Sequence, residues 1–429
     1  MQLYNLKHPE QVVSFKQAVR LGLGKDQGLF FPTQIPLLEN IDSLQGLNFI
    51  QRSQQIFSTW LANEFSNSQI NTMVERAFNF ELPLVELNSH LYSLELFHGP
   101  TLAFKDFGAR FMAQCLSAIT QNEKITILTA TSGDTGAAVA DAFYGLRNIN
   151  VVVLYPKGKI SALQEKMFTT LGANIHTIAV GADFDACQQL VKACFDDQEL
   201  RETLGLNSAN SINISRLLAQ ICYYFEAVAR FNARHDEAPI IAVPSGNLGN
   251  LTAALLAKAM GLPIKRIIAA TNANDTLPRY LQTGKWQVKP TIETMSNAMD
   301  VATPNNWMRV AKIMQTMHWS SQELVAYAIS ESKTIASLKR LYNMGYLSEP
   351  HAAVAAAALQ QDLTEDEKGI FLSTAHAAKF KPSVESILNT SLTVPKALAK
   401  VANKTSLALP MANNFSQLRR HLLRRDANL

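Results

Sequence analysis

One lysine lies in an unusually apolar stretch of the sequence. Lys105 stands among Leu102, Phe104 and Phe107 in the segment LFHGPTLAFKDFG, residues 96–108. Most lysines are surface residues, and a lysine beside an aspartate usually forms a solvated ion pair. A lysine held in apolar surroundings instead has a lowered pKa and can attack a carbonyl group as a neutral amine. Lys105 is therefore a candidate catalytic residue.

Two glycine-rich turns could bind anions. TSGDTG at 131–136 and SGNLGN at 245–250 each follow a predicted strand and lead into a predicted helix. Glycine lets the backbone approach a ligand closely, and the free N–H groups at a helix start favour an anion. Neither turn fits the dinucleotide pattern GxGxxG or the nucleotide pattern GxxxxGK[ST], which disfavours a dehydrogenase or a P-loop enzyme. Taken alone, each is more often a plain tight turn.

A fourth feature is a predicted strand that ends in small hydroxyl residues, in FLSTAHAAKF at 371–380. Such residues commonly satisfy nearby backbone groups and nothing more. The combination of the four features is more informative, because it matches the needs of pyridoxal phosphate. The lysine would hold the aldehyde, one glycine turn the phosphate, and the hydroxyl the pyridine nitrogen. The remaining turn would hold an amino-acid carboxylate.

Over nearly its whole length the sequence resembles the threonine synthases of the longer bacterial and fungal type, which are fold-type II pyridoxal-phosphate enzymes. Five segments carry the resemblance most strongly: LFHGPTLAFKDFG at 96–108, TATSGDTGAA at 129–138, NSANSINISR at 207–216, PSGNLGN at 244–250 and STAHAAKF at 373–380. The resemblance implies a carbon–oxygen lyase that converts O-phospho-L-homoserine and water to L-threonine and phosphate, the last step of threonine biosynthesis.

The resemblance also implies a role for individual residues. Lys105 would bond to the cofactor's aldehyde and then act as the base at Cα, and Thr374 would face the pyridine nitrogen. The cofactor phosphate would be held by Gly246, Asn247, Leu248, Gly249 and Asn250, and the substrate carboxylate by Thr131, Ser132, Gly133 and Thr135. Candidates for the substrate phosphate are Lys157, Lys159, Ser161, Asn213 and Arg216, although cations on a crossover loop are as often simple surface charges.

The elements that must position these residues form an alternating pattern. After Pro83, short apolar runs rich in β-branched residues alternate with alanine-rich helical runs. The predicted strands are 125–129, 150–154, 175–180, 239–243, 264–270 and 369–372, and the predicted helices include 137–146, 212–231 and 251–260. This pattern predicts an α/β fold with mainly parallel sheets and helices on both faces. Ligands in such folds bind beyond the carboxyl ends of the strands, where the candidate turns lie.

The same pattern suggests a division of the chain. Residues 1–83 are predicted to form a mostly helical N-terminal domain, with an apolar loop at 28–32. Residues 84–385 would form the cofactor-binding α/β catalytic core, in which 116–224 form a second α/β subdomain. Residues 386–429 would form a C-terminal helical segment.

Composition excludes several other classes. The chain has 429 residues with 39 Lys plus Arg against 35 Asp plus Glu, a net charge of +4 that gives no reason to expect a nucleic-acid partner. No apolar run approaches the roughly 18–20 residues of a membrane span, and no secretion signal is evident. The four cysteines show no metal-binding spacing and are expected to be reduced core thiols of a cytoplasmic protein. Both a monomer and a homodimer remain open.

Two alternatives stay open at this point. Another fold-type II lyase, such as a serine or threonine dehydratase, would carry similar glycine turns. A non-catalytic relative would be expected to have lost Lys105 or the 246–250 turn, and both are present. The histidines beside the motifs, His98, His351 and His376, are more often hydrogen-bonded structural residues than catalytic ones.

Overall fold

The computed structural model of the chain describes residues 1–120, 123–320 and 322–426. The last three residues of the predicted C-terminal segment, 427–429, lie outside the described residues. The strands form three sheets. They are β1 (Gln2–Asn5), β2 (Val12–Ser14), β3 (Phe30–Pro32), β4 (Leu84–Glu86), β5 (Leu91–Glu95), β6 (Ile125–Ala130), β7 (Ile149–Pro156), β8 (Ile175–Val180), β9 (Leu206–Asn207), β10 (Ile240–Pro244), β11 (Ile267–Thr271), β12 (Leu324–Ala328), β13 (Gly369–Ser373) and β14 (Leu409–Met411).

Helices connect and cover these strands. They are α1 (Phe15–Leu21), α2 (Phe49–Leu61), α3 (Asn67–Ala77), α4 (Lys105–Ile119), α5 (Asp134–Phe143), α6 (Ala162–Thr169), α7 (Phe184–Asp196), α8 (Gln198–Leu204), α9 (Ile214–Asn232), α10 (Gly249–Ala259), α11 (Thr276–Thr283), α12 (Trp307–Met317), α13 (Glu331–Asn343), α14 (Pro350–Asp362), α15 (Lys381–Leu388), α16 (Lys396–Ala402) and α17 (Phe415–Asp426). None of the described helices is long and apolar enough to cross a membrane.

The larger sheet has six strands in the order β12-β11-β10-β13-β5-β4. All neighbours run parallel except β4, which pairs antiparallel with β5. Alternate residues of β10 face opposite sides: Ile241 and Val243 join the core that contains α9 and α10, and Ile240 and Ala242 join the core that contains α14. Because both faces of the sheet are buried under helices, its strands read as continuous apolar runs.

The second sheet has five parallel strands in the order β14-β8-β7-β6-β9. Val151 and Val153 of β7 pack on the side of α4 and α5, while Val152 and Leu154 pack on the side of α7 and α17. The predicted α/β fold with mainly parallel sheets and helices on both faces is therefore confirmed.

Short strands depart from the sequence-based expectation. The stretch at 28–32, predicted as a loop, contains β3, which pairs antiparallel with β1 in a small three-stranded sheet. The C-terminal segment, predicted as helical, contains β14, which pairs with β8 at the edge of the second sheet. Strands of three residues are too short to show a period of two, so only the tertiary partner reveals them.

Candidate active site

The carboxyl ends of strands from both large sheets open into one cavity of about 1320 Å³. Its walls come from the turns after β6, β10 and β13, the start of α4 and the start of α9. Twelve of the residues predicted from the sequence line it: Lys105, Thr131, Ser132, Thr135, Lys159, Arg216, Gly246, Asn247, Leu248, Gly249, Asn250 and Thr374. The topology thus brings together motifs that are far apart in the chain. This agrees with the expectation that ligands bind beyond the carboxyl ends of parallel strands.

Lys105 and Thr374 are tied together by backbone hydrogen bonds. Phe104 N–H donates to the carbonyl of Thr374 at 2.8 Å, and His376 N–H donates to the carbonyl of Leu102 at 3.1 Å. Lys105 is the first residue of α4, directly after this short antiparallel contact. The segment that follows β13 therefore fixes where the lysine enters the cavity.

The surroundings of Lys105 lower the pKa of its amine to about 8. Burial is the largest cause, and the positive charges of Lys379 and Arg216 add to it, while the carboxylate of Asp134 acts in the opposite direction. Desolvation disfavours the charged form of a lysine, so an appreciable fraction of this amine is neutral near neutral pH. A neutral amine in this cavity can attack an aldehyde and can accept a proton.

Thr374 is supported by a buried acid that the sequence did not single out. The Thr374 hydroxyl donates to Glu349 Oε1 at 3.4 Å, and Glu349 is fully buried. Glu349 Oε2 lies 2.5 Å from Nδ1 of His351, whose Nε2 accepts from the N–H of Ala298 at 3.2 Å. His351 lines the cavity, but both ring nitrogens have protein partners, which is the structural role expected for it.

The turn after β10 approaches its neighbours too closely for any side chain at Gly246. A Cβ at Gly246 would lie 2.8 Å from Cα of Met299, a contact with backbone that cannot give way. Leu248 adopts a left-handed conformation with φ of 58° as it begins α10. The turn is thus held in one shape at the start of a helix, which suits it to an anion.

Asn250, in the first turn of α10, offers an unused donor. Its Oδ1 accepts the hydroxyls of both Tyr223 and Tyr224, which fixes the orientation of the amide. Burial raises the pKa of both tyrosines well above the usual value, so they stay protonated donors. The Nδ2 of Asn250 is buried and has no hydrogen-bond partner among the described residues. Because Asn250 lines the cavity, this N–H is a candidate donor for a bound ligand.

Hydrogen bonds within the turn at 131–136 fix its conformation. The Thr131 hydroxyl oxygen accepts the N–H of Gly133 at 2.9 Å and of Gly136 at 2.8 Å, and Gly133 has a φ of 137° that favours glycine. Ser132 and Thr135 are half-buried and line the cavity, whereas Gly133 does not. The hydroxyls of Ser132 and Thr135 are therefore the ones this turn presents to a ligand.

Asp134, within this turn, forms a buried ion pair that the sequence analysis did not predict. Lys379 Nζ is 2.7 Å from Asp134 Oδ1 and donates to the carbonyl of Thr101 at 2.7 Å. Gln164 Nε2 also donates to Asp134, at 3.0 Å. Burial would raise the pKa of Asp134, but the charges of Lys379 and Lys105 outweigh it and hold this pKa below its usual range. Asp134 therefore stays an anion in the cavity wall.

The residues predicted for the substrate phosphate divide into two groups. Arg216 and Lys159 line the cavity. Arg216 is 3% exposed, donates to the carbonyl of Ala209, and has a buried Nε without a partner among the described residues. Burial lowers the pKa of Arg216 to about 10. An incompletely satisfied buried cation of this kind is suited to an anionic ligand.

The structure does not bring Lys157, Ser161 or Asn213 to the cavity wall. Lys157 is exposed. The hydroxyl of Ser161 accepts an N–H at the start of α6. The side chain of Asn213 is fully buried, caps α9 and donates to the carbonyl of Val19 at 3.2 Å. Ser161 and Asn213 therefore serve local structure.

One wall of the cavity is formed by a segment in which the sequence showed no functional motif. It is an irregular segment that includes Thr294, Asn297, Asp300 and Asn305. Asn272, after β11, donates to Asp300 Oδ1 at 2.8 Å and so anchors this segment at the end of the larger sheet. The segment has neither a glycine-rich turn nor apolar periodicity, which are the features that identify a site in a single sequence. The described residues contain no cluster of three or more histidine, cysteine or acidic side chains able to hold a metal.

Comparisons with known proteins identify the class first. The chain matches the family model of pyridoxal-phosphate dependent enzymes over residues 67–374, a range that contains every predicted site residue. It also matches the models for the threonine synthase N terminus over 6–78 and the threonine synthase C-terminal region over 352–421. The chain thus has the fold of the pyridoxal-phosphate dependent enzymes.

Individual relatives narrow the class. The threonine synthase of Haemophilus influenzae is 58% identical over 99% of this chain and 100% of its own length. The crystal structure of threonine synthase from Escherichia coli has a TM-score of 0.95 at 55% identity, covering 99% of this chain and 100% of that one. The structure of pyridoxal-phosphate-bound threonine synthase from Brucella melitensis has a TM-score of 0.92 at 30% identity, with 99% of each chain covered. The chain belongs to the threonine synthase family.

The residues present fit the cofactor of this class. Pyridoxal phosphate needs an amine for its aldehyde, donors for its phosphate and a partner for its ring nitrogen. The cavity offers the amine of Lys105, the turn at 246–250 with the unused Nδ2 of Asn250, and the Thr374 hydroxyl. A buried polar donor without a partner is costly unless a ligand satisfies it, and Asn250 provides such a donor.

Proposed function

We propose that this protein converts O-phospho-L-homoserine and water to L-threonine and phosphate, with pyridoxal phosphate as cofactor. Membership of the threonine synthase family supports the reaction. The observation that carries the proposal is the buried Lys105, whose pKa is lowered to about 8, in a cavity that also presents two separate anion-binding turns and the unpaired cation Arg216. A substrate with both a carboxylate and a phosphate fits such a cavity.

The chain's own residues divide the work of binding and proton transfer. Pyridoxal phosphate, when bound, supplies the electron sink that makes the Cα proton of an amino acid acidic. Lys105 holds the cofactor's aldehyde before the substrate arrives and then, as a free amine, removes the proton from Cα and moves a proton at Cβ. Thr374, oriented by Glu349, holds the ring nitrogen.

Three anionic groups are assigned to three places in the cavity. The backbone N–H groups at 246–250 and Nδ2 of Asn250 hold the cofactor phosphate. The turn at 131–136 holds the substrate carboxylate, with Ser132 and Thr135 as the hydroxyl donors. Arg216 and Lys159 hold the substrate phosphate and stabilise the charge that remains on it when it leaves from Cγ.

The test is an assay of the purified protein with O-phospho-L-homoserine in which threonine and phosphate are both measured. Equal molar release of the two supports the proposal. Release of keto acid from serine or threonine, with no phosphate released from O-phosphohomoserine, would instead identify a dehydratase of the same fold.

Arg216→Met provides the matched test of the phosphate assignment. It should lower kcat/KM for O-phosphohomoserine much more than side activity on unphosphorylated amino acids, because a charge-assisted contact is lost only for the former. Arg110→Met is the control, since Arg110, on the neighbouring helix α4, does not line the cavity and donates to the carbonyls of Ala77 and Arg76. Equal losses for both substrate types in Arg216→Met would make Arg216 purely structural.

We also propose how the chain is organised. Residues 1–83 form an N-terminal domain, 84–385 the catalytic core with 116–224 as a second subdomain, and 386–429 a C-terminal segment that adds β14 to the second sheet. All the residues assigned above come from one copy of the chain, which fits either a monomer or a homodimer. The four buried, unpaired cysteines favour a reducing, cytoplasmic location.

A further inference from the structure

Arg309 of α12 is a fully buried cation that is hydrogen-bonded only to neutral groups. Its Nε and one terminal nitrogen donate to the carbonyl of Phe30 at 3.1 and 2.9 Å, and the same terminal nitrogen donates to the carbonyl of Ile212 at 2.9 Å. The other terminal nitrogen donates to Oδ1 of Asn306 at 2.8 Å. No carboxylate of the described residues lies within ion-pair distance. A buried charge without a counter-ion is expensive, so its position calls for a physical explanation.

The groups that Arg309 holds lead directly to the turn at 246–250. Nδ2 of Asn306 donates to the carbonyl of Asn247 at 3.0 Å, and the N–H of Asn305 donates to Oδ1 of Asn247 at 2.6 Å. The amide of Asn306 also lies against Gly249, where an added Cβ would come within 3.4 Å of its Nδ2. Arg309 is thus separated from this turn by one side chain, and both Arg309 and Asn306 are fully buried.

Three parts of the chain meet at this guanidinium. Phe30 belongs to β3 in the N-terminal part, Ile212 lies just before α9, and Asn306 precedes α12. The planar guanidinium has five N–H donors in a fixed arrangement, so one arginine holds all three from three separate nitrogens, whereas a lysine has three donors on a single atom. The N-terminal part, which supplies no predicted catalytic group, is by this contact joined to the support of the turn.

We propose that Arg309 is a positioning residue for the cofactor phosphate: through Asn306 it fixes the turn at 246–250, and its uncompensated charge favours a phosphate dianion there. The proposal rests on the assignment of residues 246–250 to the cofactor phosphate. It explains why a buried arginine is kept without an acidic partner, since the anion that its charge attracts is the ligand itself. A charge in a poorly solvated interior acts over a longer distance than one in water.

The test compares pyridoxal phosphate with pyridoxal, which lacks the phosphate. The full-length protein is freed of cofactor with hydroxylamine, and the dissociation constant of each compound is measured by quenching of tryptophan fluorescence, because Trp286 and Trp307 line the cavity. In Arg309→Met and in Asn306→Leu, the dissociation constant of pyridoxal phosphate should rise at least about tenfold more than that of pyridoxal. Arg309→Lys should fall between Arg309→Met and the parent.

Arg266→Met is the matched control for lost stability. Arg266 is hydrogen-bonded to Asp362 and Glu367 just before β11, at the opposite end of the strand from the cavity. This variant should lower the melting temperature and leave the ratio of the two dissociation constants unchanged.

Equal weakening of both compounds in Arg309→Met and Asn306→Leu, or no weakening, would overturn the proposal and make Arg309 a purely structural residue. If Arg309→Met does not fold, Asn306→Leu decides, because it keeps the charge of the arginine and removes the side chain that connects Arg309 to Asn247. Gly246→Val distinguishes a failure of the underlying assignment. If it leaves the preference for pyridoxal phosphate over pyridoxal intact, residues 246–250 do not hold the phosphate, whatever Arg309 does.

Discussion

The lowered pKa of Lys105 predicts how the rate of cofactor binding depends on pH. Only the neutral amine attacks an aldehyde, so the rate of reconstitution with pyridoxal phosphate should rise with pH up to about 8 and then level off. An unperturbed lysine would continue to gain reactivity up to a pKa of about 10.4. The measurement is the growth of visible absorption after mixing cofactor-free protein with pyridoxal phosphate at a series of pH values. Lys105→Ala, the control, should give no such absorption, and a rate that rises steadily to the ordinary lysine pKa would contradict the assignment.

The hydroxyl of Thr374 is the second group that can be tested by one substitution. Thr374→Val keeps the shape of the side chain and removes the hydrogen bond to the ring nitrogen, at a cost of about 1–3 kcal/mol. We expect faster loss of cofactor on dialysis and slower turnover. Thr374→Ser should restore most of both, because it returns the hydroxyl. A valine variant that retains cofactor and turns over like the parent would remove Thr374 from the site.

Single residues were predictable from sequence when their own neighbours carried the signal. Lys105 stands out in an apolar segment, and the 246–250 turn stands out by its glycines. Glu349 and Arg309 could not be found in this way. An acid at a helix start and an arginine on an amphipathic helix look ordinary until their distant partners, Thr374 and the turn at Asn247, are in place.

At the scale of the elements, the close packing of the turn after β10 predicts a large effect of a small change. Gly246→Val would drive its side chain into the backbone at Met299, where even a Cβ would be 2.8 Å from Cα. The turn must shift, so the variant should fold but lose its cofactor and its visible absorption. Gly145→Val is the control, since Gly145 follows α5 with open space around it, although its φ of 74° makes some strain unavoidable. A Gly246→Val protein with full cofactor content would show that the turn does not need its present shape.

Elements were predictable in proportion to their length. The strands predicted at 125–129, 175–180 and 239–243 are apolar β-branched runs between helices, and they occur as β6, β8 and β10 with ends that differ by at most one residue. The strands β3 and β14 could not be predicted, because three residues carry no periodic pattern. The irregular wall that contains Thr294 and Asp300 could not be predicted from the sequence either, because side-chain hydrogen bonds rather than a periodic apolar pattern fix its conformation.

At the scale of the molecule, one buried ion pair joins the two large sheets at the cavity. Asp134 begins the helix after β6 of the second sheet, and Lys379 follows β13 of the larger sheet. Their charged groups are 2.7 Å apart, with the lysine side chain 0% and the aspartate side chain 8% exposed. Under the proposed assignment of the substrate carboxylate to 131–136, the pair also compensates the negative charge of Asp134 beside that carboxylate. This ion pair therefore affects both the relative position of the two sheets and the charge of the cavity wall.

Lys379→Met should consequently be harmful in two ways. Breaking a buried pair leaves an uncompensated charge and costs about 3–5 kcal/mol, which denaturant unfolding would show as a lower midpoint. The uncompensated negative charge of Asp134 should also raise the KM for the substrate, because it repels the carboxylate. Asp134→Asn combined with Lys379→Met removes both charges, so the double variant should recover much of the stability and of the KM lost in Lys379→Met.

The pH dependence of stability gives this pair an independent check. The pKa of Asp134 is lower in the folded protein than in the unfolded chain, so its contribution is present above the unfolded pKa of about 3.9 and is lost as pH falls through the folded value. In the double variant this acid-sensitive part should be missing, and the difference in unfolding free energy from the parent should shrink at low pH. If the double variant is as unstable as the sum of the single variants, the two residues are not coupled. The ion pair would then contribute nothing to holding the two sheets together at the cavity.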